Sequence, residues 1–269
     1  MFTDRTPQQL LAEVYDAGAA AYARYWAPAL HRHAVDLVAA VPPPAPSTSR
    51  TVVDVATGSG ALIPALSDLA GERGRVIALD RSLGMLHQAP ATHPRVQADA
   101  AALPLHDARV DVLVLAFVLF LLPDARQAVA EAARVLRPGG WLLAATWGDQ
   151  VGTNADVVVR EELDAVGAPE FPTLARSDSI TDSPDRMASL LENAFTEIHT
   201  WGRALEARFD RRSALAMRTG CGALGWRYAQ LDPATREVVS ARAVERLGSL
   251  PPEGFVDLSE VLLTTARRR

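Results

Sequence analysis

The run that most constrains this chain is TVVDVATGSG at residues 51–60, where five residues of strand character end in a glycine-containing loop that opens a helical stretch. A buried strand, a tight turn and a helix form the first unit of a parallel sheet with crossover helices. Gly58 and Gly60 let the backbone approach a ligand where a Cβ would collide, although a merely packed strand-to-helix connection also uses glycine in this way. The next strands shift the balance. Residues 75–79 lead into Asp80, about twenty residues after the loop, where nucleotide-binding folds set a carboxylate on ribose hydroxyls. Residues 95–98 lead into Asp99 and Ala100. In an open α/β sheet, ligands bind outside the carboxyl ends of the strands where strand order reverses, so three successive strand ends here carry suitable chemistry.

The alternation continues with strands at 111–116 and 141–146 and helices at 61–69, 83–88 and 125–136, with a Pro138-Gly139-Gly140 turn before the fifth strand. Late strands are expected at 195–201 and 261–266. On either side of the first of these the rhythm lapses, at about 150–191 and 211–248, which read as insertions that build a lid. At the other end, Thr6-Pro7 is a helix start, with a helix to about residue 24 and a second over 28–41. The proline-rich segment 42–49 then separates a helical cap (1–50) from a core (51–149), leaving 150–269 for the remaining strands and the lid. The expected fold is a doubly wound α/β domain with a mostly parallel, seven-stranded sheet.

Taken in order and spacing, DVATGSG (54–60), ALD (78–80), ADA (98–100), LPL (103–105) and VLRPGG (135–140) resemble the class I S-adenosylmethionine-dependent methyltransferases of the ubiquinone/menaquinone-biosynthesis-like, type 11 group. The resemblance covers roughly 51–146, with weaker support from Tyr15-Asp16 and Tyr22. It implies S-adenosylmethionine as cofactor. Asp54 would order the loop, and Ala56, Thr57, Gly58, Ser59 and Gly60 would belong to the cofactor site, with Gly58 and Gly60 beside the methionine part. Asp80 would hold the ribose, Arg81 and Met85 would flank the adenine, and Asp99 with the Ala100 amide would meet its edge. Ala116 and Phe117 would lie beside the sulfonium and the substrate. The group's commonest pattern has glycine where this chain has Ala56. Tyr15, Tyr22 and Trp26 share a face if the cap helix is continuous, and the resemblance implies that this helix closes over the cofactor, where an aromatic face attracts a sulfonium.

Methyl transfer from a sulfonium needs no covalent enzyme intermediate, but a hydroxyl or carbon acid acceptor gains from a base. Of the six histidines, His87, His93 and His106 read as structural or solvated and His199 lies on a late strand. His31 and His33 sit in the cap. His33 is the first candidate because it continues the face of Tyr22 and Trp26, provided that Pro28 does not break the register.

The net charge of -5, with no lysine in the chain, argues against a nucleic-acid partner. The single cysteine, Cys221, excludes an internal disulfide and a cysteine-based zinc site, and no metal is expected. No apolar run is long enough for a bilayer, and residues 2–9 lack a signal-peptide layout, so a cytoplasmic protein is expected. The aromatic and apolar residues of the variable regions, including Trp147, Trp201, Met217, Trp226 and Tyr228, point to a small, largely apolar acceptor handled by a monomer or homodimer. The alternative is a protein that binds the cofactor without transferring its methyl group. A nicotinamide reading fits poorly, because Ala56-Thr57-Gly58-Ser59-Gly60 lacks the G-x-G-x-x-G spacing.

Overall fold

A computed structural model describes residues 6–45, 48–150 and 152–269. Thr6 caps the first helix: its hydroxyl accepts the Gln9 N–H and the Gln9 side chain accepts the Thr6 N–H, so α1 (Pro7–Ala21) starts with two otherwise free donors satisfied. The helix then passes through a wide π-helical turn, Tyr22–Trp26, straight into α2 (Ala27–Ala39). Pro28 causes no break: it follows directly on the π-helical turn, and the chain stays helical through it. The π turn acts as a one-residue insertion and rotates the following helix face by about 100° relative to an uninterrupted helix.

From Thr51 the chain alternates through β1 (Thr51–Val55), α3 (Ile63–Ala70), β2 (Arg75–Asp80), α4 (Leu83–Gln88), β3 (Arg95–Gln97), β4 (Val110–Ala116), α5 (Ala125–Val135) and β5 (Leu136–Gln150). It continues through α6 (Asn154–Ala165), α7 (Pro184–Leu191), β6 (Phe195–Arg208), α8 (Arg211–Gly220), α9 (Gly222–Ala229), α10 (Pro233–Gly248) and β7 (Val256–Arg268). The strands form one seven-stranded sheet in the order β3-β2-β1-β4-β5-β7-β6. All neighbours are parallel except β7, which runs antiparallel to β5 and β6. This is the expected doubly wound sheet. Strand order reverses between β1 and β4, so the loops leaving them diverge and open a crevice at the carboxyl edge.

Strand pleating divides β1 between two cores. Val53 and Val55 pack with α5 and α7 on one face, whereas Val52 packs with α2 and α3 on the other. The same alternation sends Asp54 into the α2/α3 face, where it is almost fully buried.

Two outcomes differ from the sequence expectation. Met187 and Leu191 of α7 are fully buried beside α5, so the end of the 150–191 stretch covers the sheet. The last strands are also longer than expected: β6 and β7 stay paired from Phe195↔Arg268 to Arg208↔Val256. Beyond Gly202 only Leu205 and Ala207 of β6 are buried, too few apolar residues to mark a strand in the sequence. The helices α6, α8, α9 and α10 pack together over the sheet edge around two small cores, one holding Val158, Ala214 and Leu247 and the other Val159, Leu163, Leu224 and Val239. None of the described helices is long and apolar enough to cross a membrane.

Candidate cofactor and acceptor site

The loop after β1 is held from two sides. Its Thr57 N–H donates to the Leu79 carbonyl at 2.9 Å, and the Thr57 hydroxyl donates to Asp54 Oδ2 at 2.7 Å. Burial pushes the Asp54 carboxyl up to about 7, against the Thr57 hydrogen bond, which lowers it. Ala56 takes φ +55°, a left-handed conformation that costs a non-glycine residue roughly 1–2 kcal/mol. It stands where the resembling group most often has glycine, so the departure noted in the sequence is a small local strain and not a different loop. Phe117, after β4, is also left-handed at φ +58°, and its N–H donates to the Ala145 carbonyl at 2.7 Å. Backbone strain at two adjacent strand ends is characteristic of ligand sites.

Between these loops and α1 lies a cavity of about 350 Å³. Ala56, Gly58, Asp80, Arg81, Met85, Asp99, Ala100, Ala116, Phe117 and Tyr22 all line it, each of them anticipated from the sequence. Asp80 is mostly buried, and its two oxygens accept the Gly58 and Ser82 N–H groups at 2.8 Å each. A carboxylate offers about four lone-pair sites, so room remains for two hydroxyls of a ribose. Burial raises its pKa, opposed by those backbone bonds. Arg81 Nη1 and Asp99 Oδ2 form a half-exposed ion pair at 3.3 Å on the cavity wall.

Thr57, Ser59 and Asp54 face instead a small hollow of about 60 Å³ behind the loop, shared with His31 and Tyr22. Gly60 lines neither space. A Cβ there would meet Pro90 Cδ at 2.7 Å and Ile63 Cδ1 at 2.8 Å, so this glycine serves packing against the core and not approach to a ligand. Gly58 differs: its nearest neighbour in that direction is the Tyr22 ring at 3.8 Å, and the side facing the cavity is open.

The cap is fastened by a contact that the sequence reading did not assign. Asp16 Oδ1 accepts from the Ser82 hydroxyl at 2.6 Å and from the Gly84 N–H at 2.7 Å. Gly84 has no Cβ because one would strike the Asp16 backbone at 2.7 Å. Asp16→Ala is expected to destabilise the fold by about 1–3 kcal/mol and to expose the cap to proteolysis, checked by thermal denaturation and limited digestion; an unchanged digestion pattern would mean that packing alone holds α1. Gln8, Leu11 and Leu121 also line the cavity without being legible in the sequence, because a single glutamine or leucine on a helix or short turn is as common on any surface or core face as in a site.

A second cavity, about 480 Å³, lies between the cap and the helices α6, α8 and α9. Tyr15 and Tyr22 line both cavities and meet edge to face at 6.1 Å, forming the partition between them. Burial pushes the Tyr15 hydroxyl up to about 12 and that of Tyr22 higher still, so both rings stay neutral. Trp26 lines the second cavity and stacks between Trp147 and Phe209, each 6.1 Å away, while Phe117 approaches Trp147 at 5.1 Å. Met217 lines this cavity, as the sequence suggested. Trp226 packs on Phe171, Tyr228 bonds Ser240, and Trp201 stacks on His199, all away from it.

The histidines are placed differently from the expectation. The π turn moves His33 off the Tyr22 face. It sits beside Asp36 and Arg203, its pKa lowered chiefly by burial, and it lines neither large cavity. His31 reaches the hollow behind the glycine loop, where its Nδ1 is buried without a hydrogen-bond partner among the described residues. Neither ring enters the space between cap and lid, so neither is placed as a base there.

Comparison with known proteins agrees with this geometry. The methyltransferase domain family model of type 11 matches residues 53–144. The ubiquinone/menaquinone biosynthesis C-methyltransferase of Shewanella frigidimarina is 34% identical over 155 residues, covering 50% of this chain and 57% of that protein. The demethylmenaquinone methyltransferase of Renibacterium salmoninarum is 37% identical over 117 residues, covering 42% and 46%. The chain thus spans about half the length of the curated relatives it matches. Among solved structures, the [4+2]-cyclase SpnF superposes with a TM-score of 0.59 at 20% identity, covering 98% of this chain and 97% of that one. The YcgJ protein of Bacillus subtilis gives 0.58 at 18%, covering 88% and 99%. Likenesses this distant establish the fold alone. Residues 53–144 thus match the type 11 methyltransferase domain, and the sheet order described above places that matched region in a seven-stranded fold shared with the solved structures named.

Proposed function

We propose that this protein transfers a methyl group from S-adenosylmethionine to a small, largely apolar acceptor held between the cap and the lid formed by α6 and α8–α10. The observation that carries the reading is the Asp80 carboxylate, fixed by two backbone N–H groups and facing a cavity of about 350 Å³ beside two strained strand ends. The bound cofactor would supply an electrophilic methyl carbon on a sulfonium.

The chain's own residues do the rest. Asp80 receives the ribose hydroxyls, Met85 and Arg81 flank the adenine, and Asp99 with the Ala100 amide meets its edge. The Ala56–Gly58 backbone borders the amino-acid end. Ala116, Phe117 and the Tyr22 ring surround the sulfonium, whose charge an aromatic face stabilises by roughly 0.5–2 kcal/mol. Holding the acceptor in line at about 3–3.5 Å contributes up to roughly 7–11 kcal/mol of the barrier reduction. The names of the curated relatives favour a quinol-like acceptor methylated at carbon, with oxygen and nitrogen as the other acceptor atoms.

A second reading, cofactor binding without methyl transfer, is favoured by one feature: Tyr15 and Tyr22 stand between the two cavities. Incubation with S-adenosylmethionine and a panel of quinols, phenols and amines separates the two. Formation of S-adenosylhomocysteine in step with a methylated product is the expected result. Tight cofactor binding with no S-adenosylhomocysteine from any acceptor would leave the non-transferring reading standing.

A further inference from the structure

The second cavity has an uneven lining. Tyr15, Tyr22, Trp26 and Met217 are aromatic or apolar, whereas Arg218, Asp257, Asp156 and Arg160 are charged, with Arg218 and Asp257 near enough to interact electrostatically. Arg218 is largely desolvated, which pulls its pKa down to about 10, and its Nε is ion-paired with Asp156. Asp156 is itself committed: its other oxygen accepts the Thr153 N–H and so caps α6. The cap therefore anchors the guanidinium by one edge, and no hydrogen bond from its terminal nitrogens to protein is found among the described residues. Asp257, buried on β7, accepts the Ser259 hydroxyl through Oδ1 at 2.7 Å, and no other hydrogen bond to its carboxylate is found among those residues. A buried cation with donors to spare and a buried carboxylate with a spare acceptor line one cavity whose wall also holds three aromatic rings, several apolar side chains, Asp156 and Arg160.

We propose that Arg218 and Asp257 form the polar end of an acceptor site for a flat aromatic molecule bearing an acidic hydroxyl. A phenolic hydroxyl satisfies both groups at once: its O–H donates to Asp257 and its oxygen accepts from the Arg218 guanidinium. The ring lies against Tyr22, Trp26 and Met217. An ether or a plain hydrocarbon of the same shape leaves the terminal nitrogens of Arg218 and the spare acceptor of Asp257 desolvated without that hydrogen-bond partner, which is how buried polar groups reject an analogue lacking one hydroxyl. The inference rests on the methyl-transfer reading only for the word acceptor; the site itself stands on the lining residues.

The test compares umbelliferone with its methyl ether, herniarin, by calorimetry, each titrated with and without S-adenosylhomocysteine. The wild-type protein is expected to bind umbelliferone at least about tenfold more tightly. Asp257→Asn and Arg218→Gln are each expected to reduce that preference to about threefold or less while leaving the Kd for S-adenosylhomocysteine unchanged. Circular dichroism identifies a variant that has lost its fold, and the other variant then decides. Equal affinity of the wild type for the two coumarins, no binding of either, or a preference that survives in a folded variant would overturn the site. Absence of S-adenosylhomocysteine binding by the wild type would instead count against the cofactor reading, whatever the coumarins do.

Discussion

Asp80→Ala is expected to weaken binding of S-adenosylhomocysteine about 100-fold. Each hydrogen bond from a ribose hydroxyl to an ionised carboxylate contributes roughly 1.5–3 kcal/mol, and a factor of ten in Kd corresponds to about 1.4 kcal/mol. Alanine also removes the acceptor for the Gly58 and Ser82 N–H groups, so the glycine loop loses its tie to β2. Asp80→Asn keeps the shape and one acceptor oxygen, and a loss of about tenfold is expected. Calorimetric titration of both variants, alongside their melting temperatures, separates lost recognition from lost folding. A Kd for Asp80→Ala within threefold of the wild type would place the ribose elsewhere and remove the main support for the cofactor reading.

The second large effect concerns Asp54. Its carboxyl titrates near 7 in the folded protein because burial disfavours the charged form, whereas in the unfolded chain it titrates near 4. Between those values the folded state holds more protons than the unfolded state. Stability from this group is therefore fully present below about pH 4, declines as pH rises toward 7 and is flat above. The raised pKa of Asp80 adds a contribution of the same sign. Asp54→Asn keeps an acceptor for the Thr57 hydroxyl without the ionisation, so the variant should be more stable than wild type at pH 8, by roughly 2–4 kcal/mol, and equal to it at low pH. For a chain of this size that is about 4–7 °C in Tm. Scanning calorimetry of both proteins at pH 5 and pH 8 checks this. Parallel pH profiles would show that Asp54 is ionised throughout the range.

Both predictions arise where the sequence was most informative and where tertiary structure still changed the meaning. The sequence places an acid at the end of β1 and another at the end of β2, and the strand pattern puts them at one edge of the sheet. It does not distinguish their tasks. Pleating sends Asp54 into the α2/α3 face, where it orders Thr57, while Asp80 keeps a surface on the cavity. Gly58 and Gly60 look equivalent as letters. Only the arrival of Pro90, far along the chain, shows that Gly60 makes way for protein and not for a ligand.

The cap and lid divide in the same way. Local chemistry determined the Thr6 cap, the strand ends and the glycine loop, because each depends on residues a few positions apart whose hydrogen bonding or hydrophobic period is read directly. The side of α2 that His33 takes was decided by one π turn, a backbone choice worth little locally and imposed by packing. The far half of β6 was decided by its partner β7, since a strand with two buried residues is stable only when paired. The joining of Tyr22, Trp26, Met217, Arg218 and Asp257 around one cavity was decided by helices that meet only in the folded chain. Sequence thus determined the parallel core and the chemistry at its strand ends, where information is local. The shape and charge of the proposed acceptor space belong to tertiary structure, because its lining residues come from segments as far apart as Tyr15 and Asp257, which no local pattern joins.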